Sequence, residues 1–125
     1  MTTADGLLAR RPDLAAPLDA YRAALRAGPL DDALLDRCEA LVRRRIDRVA
    51  ATGDDGGGNP RERAVLAFAQ QFVVDAHGID DGMRDAVLDH CSTAELAVLV
   101  QWLAVADGMA RLTAVFNAAN MGANE

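Results

Sequence analysis

The spacing of apolar residues is the feature that most limits what this chain can fold into. Wherever the sequence is periodic, apolar side chains recur every three or four positions, which is the spacing of an amphipathic helix. Strand-forming residues never alternate over more than a few positions. The sequence therefore predicts an all-α fold, a compact bundle of about five helices without a sheet. With 125 residues, of which 51% are hydrophobic, residues 1–125 are expected to form one domain with a substantial core.

Capping and stop signals divide the chain into these helices. The predicted helices are Asp13 or Pro17 to Ala27, Asp31 to Thr52-Gly53, Pro60 to His77, a short helix capped by Asp80 or Asp81, and Ser92 to about Asn120. Two capping boxes support the later boundaries, Asn59 with Glu62 and Ser92 with Glu95. A glycine-rich loop at 53–58 separates the second and third helices.

Composition excludes several classes of function. All thirteen basic residues are arginine, so neither Schiff-base nor P-loop lysine chemistry is available. Ser92 is the only serine and lies in no nucleophile motif, which argues against a serine-nucleophile enzyme. A net charge of −6 and a pI near 4.8 disfavour nucleic acid and anionic membranes as partners.

The two cysteines, Cys38 and Cys91, are far apart in sequence and have no Cys/His ligand spacing. They predict neither a disulfide framework nor a metal site, and they are interpreted as buried thiols in a reducing cytoplasm. The longest apolar run, 96–106, is shorter than the roughly 20 residues of a membrane span. A cytoplasmic protein without a cofactor is expected.

The last predicted helix is apolar on two nearly opposite faces. One stripe contains Leu103 and Ala110, and the other contains Trp102, Met109 and Phe116, spaced by seven. Either this helix is central and the other four cover it, or the Trp102 stripe packs on a second subunit. The second alternative predicts a homo-oligomer formed through the C-terminal helix.

Several short segments match, in order, the pattern of one known family. They are Arg11-Pro12-Asp13-Leu14, Gly28-Pro29-Leu30-Asp31, Glu39 with Arg44, Asn59 to Ala69, His90, Ser92 to Val100, and Met109 to Leu112. In these segments the chain resembles the carboxymuconolactone decarboxylase family, which includes the alkyl hydroperoxidase-like proteins. The resemblance covers nearly all the chain outside the tail and the glycine-rich loop. It implies an all-helical fold that assembles as a dimer, trimer or hexamer.

One departure from the family pattern concerns its redox chemistry. Redox-active members carry a C-x-x-C and a histidine about twelve residues after the glutamate, and thiol peroxidase activity depends on them. The corresponding positions here are Ala51, Asp54 and Gly58, none of which can act as a thiol or its base. The resemblance therefore supports the fold, while the family's peroxidase activity is not expected.

Glu39 and His90 are the candidate catalytic residues. Glu39 matches the family glutamate, which the resemblance implies is a proton relay; alternatively it pairs on the helix surface with Arg43, four residues on. His90 matches a family histidine outside the thiol motif. It is either a general base or a histidine satisfied within the core.

Arg45 and Asp107 are the candidate ligand-binding residues, because each interrupts an apolar stripe. An isolated buried charge is costly, so the two are expected to contact one another or a shared ligand. The structural alternative is a salt bridge or two separate side chains that reach water. The functional alternative is a pocket in which Arg45 holds a small anionic ligand.

Three functions follow from these observations. The first is a carboxymuconolactone decarboxylase-like protein without the redox cysteine pair, acting as a structural or ligand-binding oligomeric subunit. The second is a cofactor-free enzyme that uses Glu39 or His90 for proton transfer in a decarboxylation or isomerisation. The third, ranked last, is a thiol-dependent redox protein that uses Cys38 and Cys91.

Overall fold

The computed structural model describes residues 4–46 and 58–123, and side chains as far as residue 117. Within these ranges the chain is helical without a strand, which confirms the all-α prediction. The α-helices are α1 (Ala4–Leu8), α2 (Pro12–Arg26), α3 (Asp32–Ile46), α4 (Pro60–Asp75), α5 (Asp81–Leu88) and α6 (Thr93–Ala123). A short 3-10 helix, Ala76–Gly78, follows α4. The predicted end of the second helix at Thr52-Gly53 and loop residues 53–57 lie outside the described residues.

The predicted capping residues set the starts of α4, α5 and α6. Asn59 Oδ1 accepts a hydrogen bond from the Glu62 backbone N–H at 2.8 Å. Ser92 and Glu95 form the full reciprocal box, in which each side chain accepts from the other's backbone N–H, at 3.1 and 2.8 Å. Asp80 caps α5 in the same way. These bonds satisfy N–H groups that have no partner inside the helix, so each helix begins where the sequence predicts.

Helix α1 is an element that the sequence analysis missed. It has five residues, too few to display an apolar period. Ala4 is 2% exposed, and its backbone N–H donates to Thr113 Oγ1 at 2.8 Å. The contact with α6 therefore holds this segment in place, which local propensity does not reveal.

The core lies between α3, α4 and α6, and α6 also packs against α1, α2 and α5. Its largest fully buried side chains are Trp102, Leu34, Leu35, Leu99 and Leu103. The two cysteines, Cys38 and Cys91, lie in the same apolar cluster, as predicted. The last helix is therefore the central helix of the bundle.

For Trp102, the alternative that it packs on a second subunit is wrong. Trp102 is 2% exposed because it faces α3, and Met109 and Phe116 are half-buried. The exposed side of α6 instead includes Val100 from the first predicted stripe, Leu112 from the second, and Val115, which lies between them. Spacing alone identified apolar positions but not which of them the other helices would cover.

Candidate functional site

Glu39, on α3, is a partly shielded carboxylate that contacts several arginines. Its side chain is 15% exposed, and Oε1 accepts a hydrogen bond from Arg43 at 2.7 Å. Two arginines of α2 approach from the other side, with Arg22 3.6 Å and Arg26 3.9 Å from its oxygens. The predicted pairing with Arg43 is therefore confirmed, within a larger cluster that joins α2 to α3.

The arginines around Glu39 also have other acidic partners. Arg22 lies 3.2 Å from Asp5, and Arg26 lies 2.6 Å from Asp36 and 3.5 Å from Asp32. Three guanidinium groups thus face four carboxylates in this cluster. Because its positive charge is neutralised, the cluster is poorly suited to hold an anionic ligand.

Arg26 also covers the indole ring of Trp102, with its guanidinium carbon 4.8 Å from the ring centroid. Its hydrogen bond to Asp36 raises its pKa above the ordinary value. A cation held over an aromatic ring contributes a favourable cation–π interaction. Arg26 therefore closes the core at the point where the indole would otherwise meet solvent.

A small cavity lies beside this cluster. It is lined by Arg22, Glu39, Trp102, Val105, Ala106 and Met109. Its volume open to water is about 10 Å³, which is roughly the room that one water molecule needs. The Glu39 carboxylate could exchange a proton with such a water. A metabolite would require the side chains of α2 to move aside.

His90 does not belong to this cavity. It follows the end of α5, and its backbone N–H donates to the Val87 carbonyl at 3.0 Å while its side chain is exposed. The expectation of a core histidine is therefore wrong, because the turn after α5 directs Cys91 inward and His90 outward. The structure does not place Glu39 and His90 around one pocket.

The expected contact between Arg45 and Asp107 is also wrong. Asp107 accepts from Nε of Arg111, one turn along α6, at 3.0 Å. Arg45 is exposed near the end of α3, and no ion pair joins it to Asp107 in the described part of the chain. A charge next to a helix end reaches water easily, so Arg45 needs no buried partner.

The two thiols are shielded rather than activated. Burial raises the pKa of the Cys38 thiol to about 12, and Cys38 has no exposed surface. Burial also raises the pKa of Cys91, although the charge of Arg61 acts in the opposite direction. This agrees with the prediction that both cysteines are buried thiols. Since the thiolate is the reactive form, both thiols are poor nucleophiles.

Sequence reasoning missed Arg22 and Arg26. They are four residues apart and so share one face of α2, while Asp36 and Glu39 share one face of α3. These matching pairs of opposite charge were a usable signal for salt bridges between α2 and α3. Cavity residues such as Met109 had no comparable signal, because an apolar side chain beside a cavity looks like any other core residue.

No protein-family model matches the chain, and no curated protein matches it. Within the described residues, no group of three or more His, Cys, Asp or Glu side chains could hold a metal ion. The segment Thr93–Asn117 is long and apolar enough to cross a membrane by length and composition alone. In the bundle, that segment supplies the buried Leu99, Trp102 and Leu103.

Proposed function

We propose that the chain is a cytoplasmic, carboxymuconolactone decarboxylase-like protein without the redox cysteine pair, and that it serves as a structural subunit of an oligomer. The segments that resemble the family support the first part. The second part is supported by the apolar interior, which contains no cavity large enough for a substrate among the described residues. The partner chains in such an oligomer are either copies of this chain or different proteins.

The observation that carries this proposal is the apolar interior. Among the described residues, no polar or charged side chain is buried. Small-molecule sites are usually clefts of several hundred Å³ with a few converging polar groups. The cavity beside Glu39 has room for about one water, and its charged groups neutralise one another. A protein built in this way acts through its surface.

The alternative is a cofactor-free enzyme that transfers a proton through Glu39. One observation favours it: Glu39 lines a cavity and is partly shielded from solvent. Such an enzyme would have to displace Arg22 or Arg26 to admit a substrate. His90, exposed at the turn after α5, contributes nothing to that cavity.

The single tryptophan provides the test, because Trp102 lines the cavity and Arg26 covers its ring. Intrinsic fluorescence is titrated with small carboxylic acids, among them a γ-lactone acid and a β-keto acid, up to 10 mM. We expect no saturable change for the wild type and the same for Glu39→Gln. A saturable change that Glu39→Gln removes, while Glu62→Gln keeps it, would favour the enzyme instead.

Hydroperoxide turnover is measured in parallel with a dithiol as electron donor. We expect the rate to equal that of the buffer, because both thiols are buried and have raised pKa values. Turnover that Cys38→Ser abolishes would establish a thiol redox protein and overturn the proposal.

A further inference from the structure

The first two helices form a layer at the edge of the bundle. We refer to residues 4–27, which comprise α1 and α2, as the N-terminal layer. The buried residues of this layer are Ala4 and Leu25, and only Leu25 belongs to the main apolar cluster. Burial of apolar surface is the dominant force that holds helices together. The N-terminal layer is therefore attached by less apolar packing than α3, α4 or α6.

Ion pairs supply much of the remaining attachment, and they join α2 to α3. Arg22 lies 3.6 Å from Glu39, while Arg26 lies 2.6 Å from Asp36 and 3.5 Å from Asp32. The two arginines are one helical turn apart, so they lie on one face of α2 and act on the same neighbour. The grip of the N-terminal layer on α3 is therefore mainly electrostatic.

The contacts of the N-terminal layer with α6 include two hydrogen bonds. The backbone N–H of Ala4 donates to Thr113 Oγ1 at 2.8 Å, and the hydroxyl of Tyr21 donates to Oε1 of Gln101. Tyr21 and Gln101 are both exposed, so water can replace each partner in their bond. This bond adds little to the cost of separating α2 from α6.

The N-terminal layer ends at a natural hinge. Helix α2 ends at Arg26, and Gly28 and Pro29 follow outside any helix. The next residue, Leu30, is 2% exposed and is fixed in the core. Hinges are a few loop residues that absorb a change in backbone angles, and glycine has the widest choice of such angles. A rotation at Gly28-Pro29 would lift both helices and leave Leu30 in place.

The N-terminal layer covers Trp102 and the small cavity beside it. The guanidinium carbon of Arg26 lies 4.8 Å from the centroid of the indole ring, and Arg22 lines the cavity. The rest of the cavity lining belongs to α3 and α6 and consists of Glu39, Trp102, Val105, Ala106 and Met109. Without the two arginines, a space for about one water would become an open groove between α3 and α6.

We infer that the N-terminal layer is a salt-sensitive lid, which Arg22 and Arg26 hold closed and which opens at Gly28-Pro29 to expose Trp102 and Glu39. The inference goes beyond the proposed structural role and does not depend on it. The lid controls whether the groove between α3 and α6 meets solvent.

Sensitivity to salt follows from the exposure of the ion pairs. The side chain of Arg26 is 35% exposed and that of Asp36 is 61% exposed. The distance over which such charges act falls from about 10 Å at 0.1 M salt to about 3 Å at 1 M. Salt does not screen the apolar packing of α3, α4 and α6. Added salt therefore weakens the attachment of the lid more than it weakens the bundle beneath it.

Hydrogen exchange of the wild type tests whether the lid opens as a separate unit. Amides of α2 should exchange faster than those of α6, and low concentrations of urea should hardly change their rate, because lid opening exposes little surface. Amides of α6 exchange through global unfolding, so urea should accelerate them strongly. If α2 and α6 responded to urea in the same way, the lid would open only when the whole chain unfolds, and the inference would fail.

The salt dependence of the same exchange tests the role of the two arginines. Between about 20 mM and 1 M NaCl, exchange in α2 of the wild type should accelerate at least about tenfold as the ion pairs are screened. The double variant Arg22→Met, Arg26→Met should exchange rapidly at both salt concentrations. Arg11→Met is the matched control, because Arg11 pairs with Asp13 inside the lid, and it should behave as the wild type does.

Acrylamide quenching of fluorescence tests what the lid covers, because Trp102 is the only tryptophan. Methionine keeps an apolar side chain over the indole but removes the charge. The double methionine variant should nevertheless raise the quenching constant about threefold, since its lid is open for much of the time. Arg26→Lys keeps the charge and should stay close to the wild type.

Each contrary result overturns the inference. Exchange in α2 of the wild type that does not depend on salt would show that charge does not hold the lid. A quenching constant that the double methionine variant leaves unchanged would show that Trp102 stays covered. Circular dichroism checks that the variants are folded, and the wild-type exchange experiments decide the question if the double variant does not fold.

Discussion

The indole N–H of Trp102 donates a hydrogen bond to the backbone carbonyl of Leu35, with the two heavy atoms 2.9 Å apart. Trp102 lies on α6 and Leu35 on α3, and both side chains are essentially fully buried. The bond fixes the register of the two helices, because a shift of either one would leave a buried N–H group without an acceptor. It also explains why the largest side chain of the chain belongs to the core.

Trp102→Ala should lower the free energy of unfolding by about 3 to 5 kcal/mol, because it leaves a cavity in the core. Urea denaturation followed by circular dichroism, at one protein concentration, measures the loss. Val74→Ala, at a 62% exposed position, should change stability by less than about 0.5 kcal/mol. If Trp102→Ala kept the stability of the wild type and only shifted the protein from oligomer to monomer, Trp102 would belong to an interface and not to the core.

Glu39→Gln should reduce stability by roughly 1 to 3 kcal/mol, because hydrogen bonds to a shielded charged group contribute about that much. The loss arises because Arg22, Arg26 and Arg43 no longer share a carboxylate. Asp13→Asn breaks a solvent-exposed pair with Arg11 and should produce no measurable change. Equal effects of the two substitutions would mean that the Glu39 cluster is no more than surface charge.

Alkaline pH should destabilise the fold through Cys38. Its pKa is about 12 in the folded protein against 9.0 for an ordinary thiol, so the unfolded chain loses its proton first. The stabilisation that comes from the protonated Cys38 thiol is complete below pH 9 and is lost as the pH rises toward 12. The chain has no lysine, so few other groups titrate in this range. The urea concentration at the midpoint of denaturation should decrease as the pH is raised from 9 to 11. The decrease should be less steep in Cys38→Ala.

Thiol accessibility provides a related measurement at neutral pH. Ellman's reagent should react slowly with the native protein, because Cys38 and Cys91 are both buried. After unfolding in guanidinium, it should react with two thiols per chain. Fast labelling of one thiol in the native state would identify an accessible, reactive cysteine. Cys91→Ala would then show which of the two had reacted.

Ser92→Ala should cost about 1 kcal/mol, because the hydroxyl caps the helix by accepting from the Glu95 N–H. Ser92→Asp, which keeps an acceptor at the same position, should recover most of this stability. The melting temperatures of the three proteins give the comparison. If the alanine and aspartate variants had the same melting temperature, the hydrogen bond at the start of α6 would not contribute to stability.

The sequence predicted local structure well because local structure depends on local chemistry. The caps at Asn59, Ser92 and Asp80 and the buried Val65, Phe68 and Ala69 all follow from spacing and hydrogen-bonding capacity. Each of these features involves residues within a few positions of one another. The all-α class follows from the same information.

Tertiary placement was less predictable. A helix with two apolar faces gives no sign of which face its neighbours cover, so the sequence left open whether Trp102 belongs to the core or to an interface. Arg45 and Asp107 each interrupt a stripe, yet one side chain is exposed and the other binds Arg111. The cluster around Glu39 depends on where α2 lies, which only the folded chain reveals.

The central position of α6 also determines how the protein comes apart. It packs against α1, α2, α3, α4 and α5, so each of these helices loses part of its packing once α6 separates. Partial opening is therefore expected at the periphery, with α1 the first to detach because it has only five residues. The backbone amides of α6 between Leu99 and Ala106 should exchange with deuterium only when the whole chain unfolds. Their exchange rate would then measure the total stability of the domain.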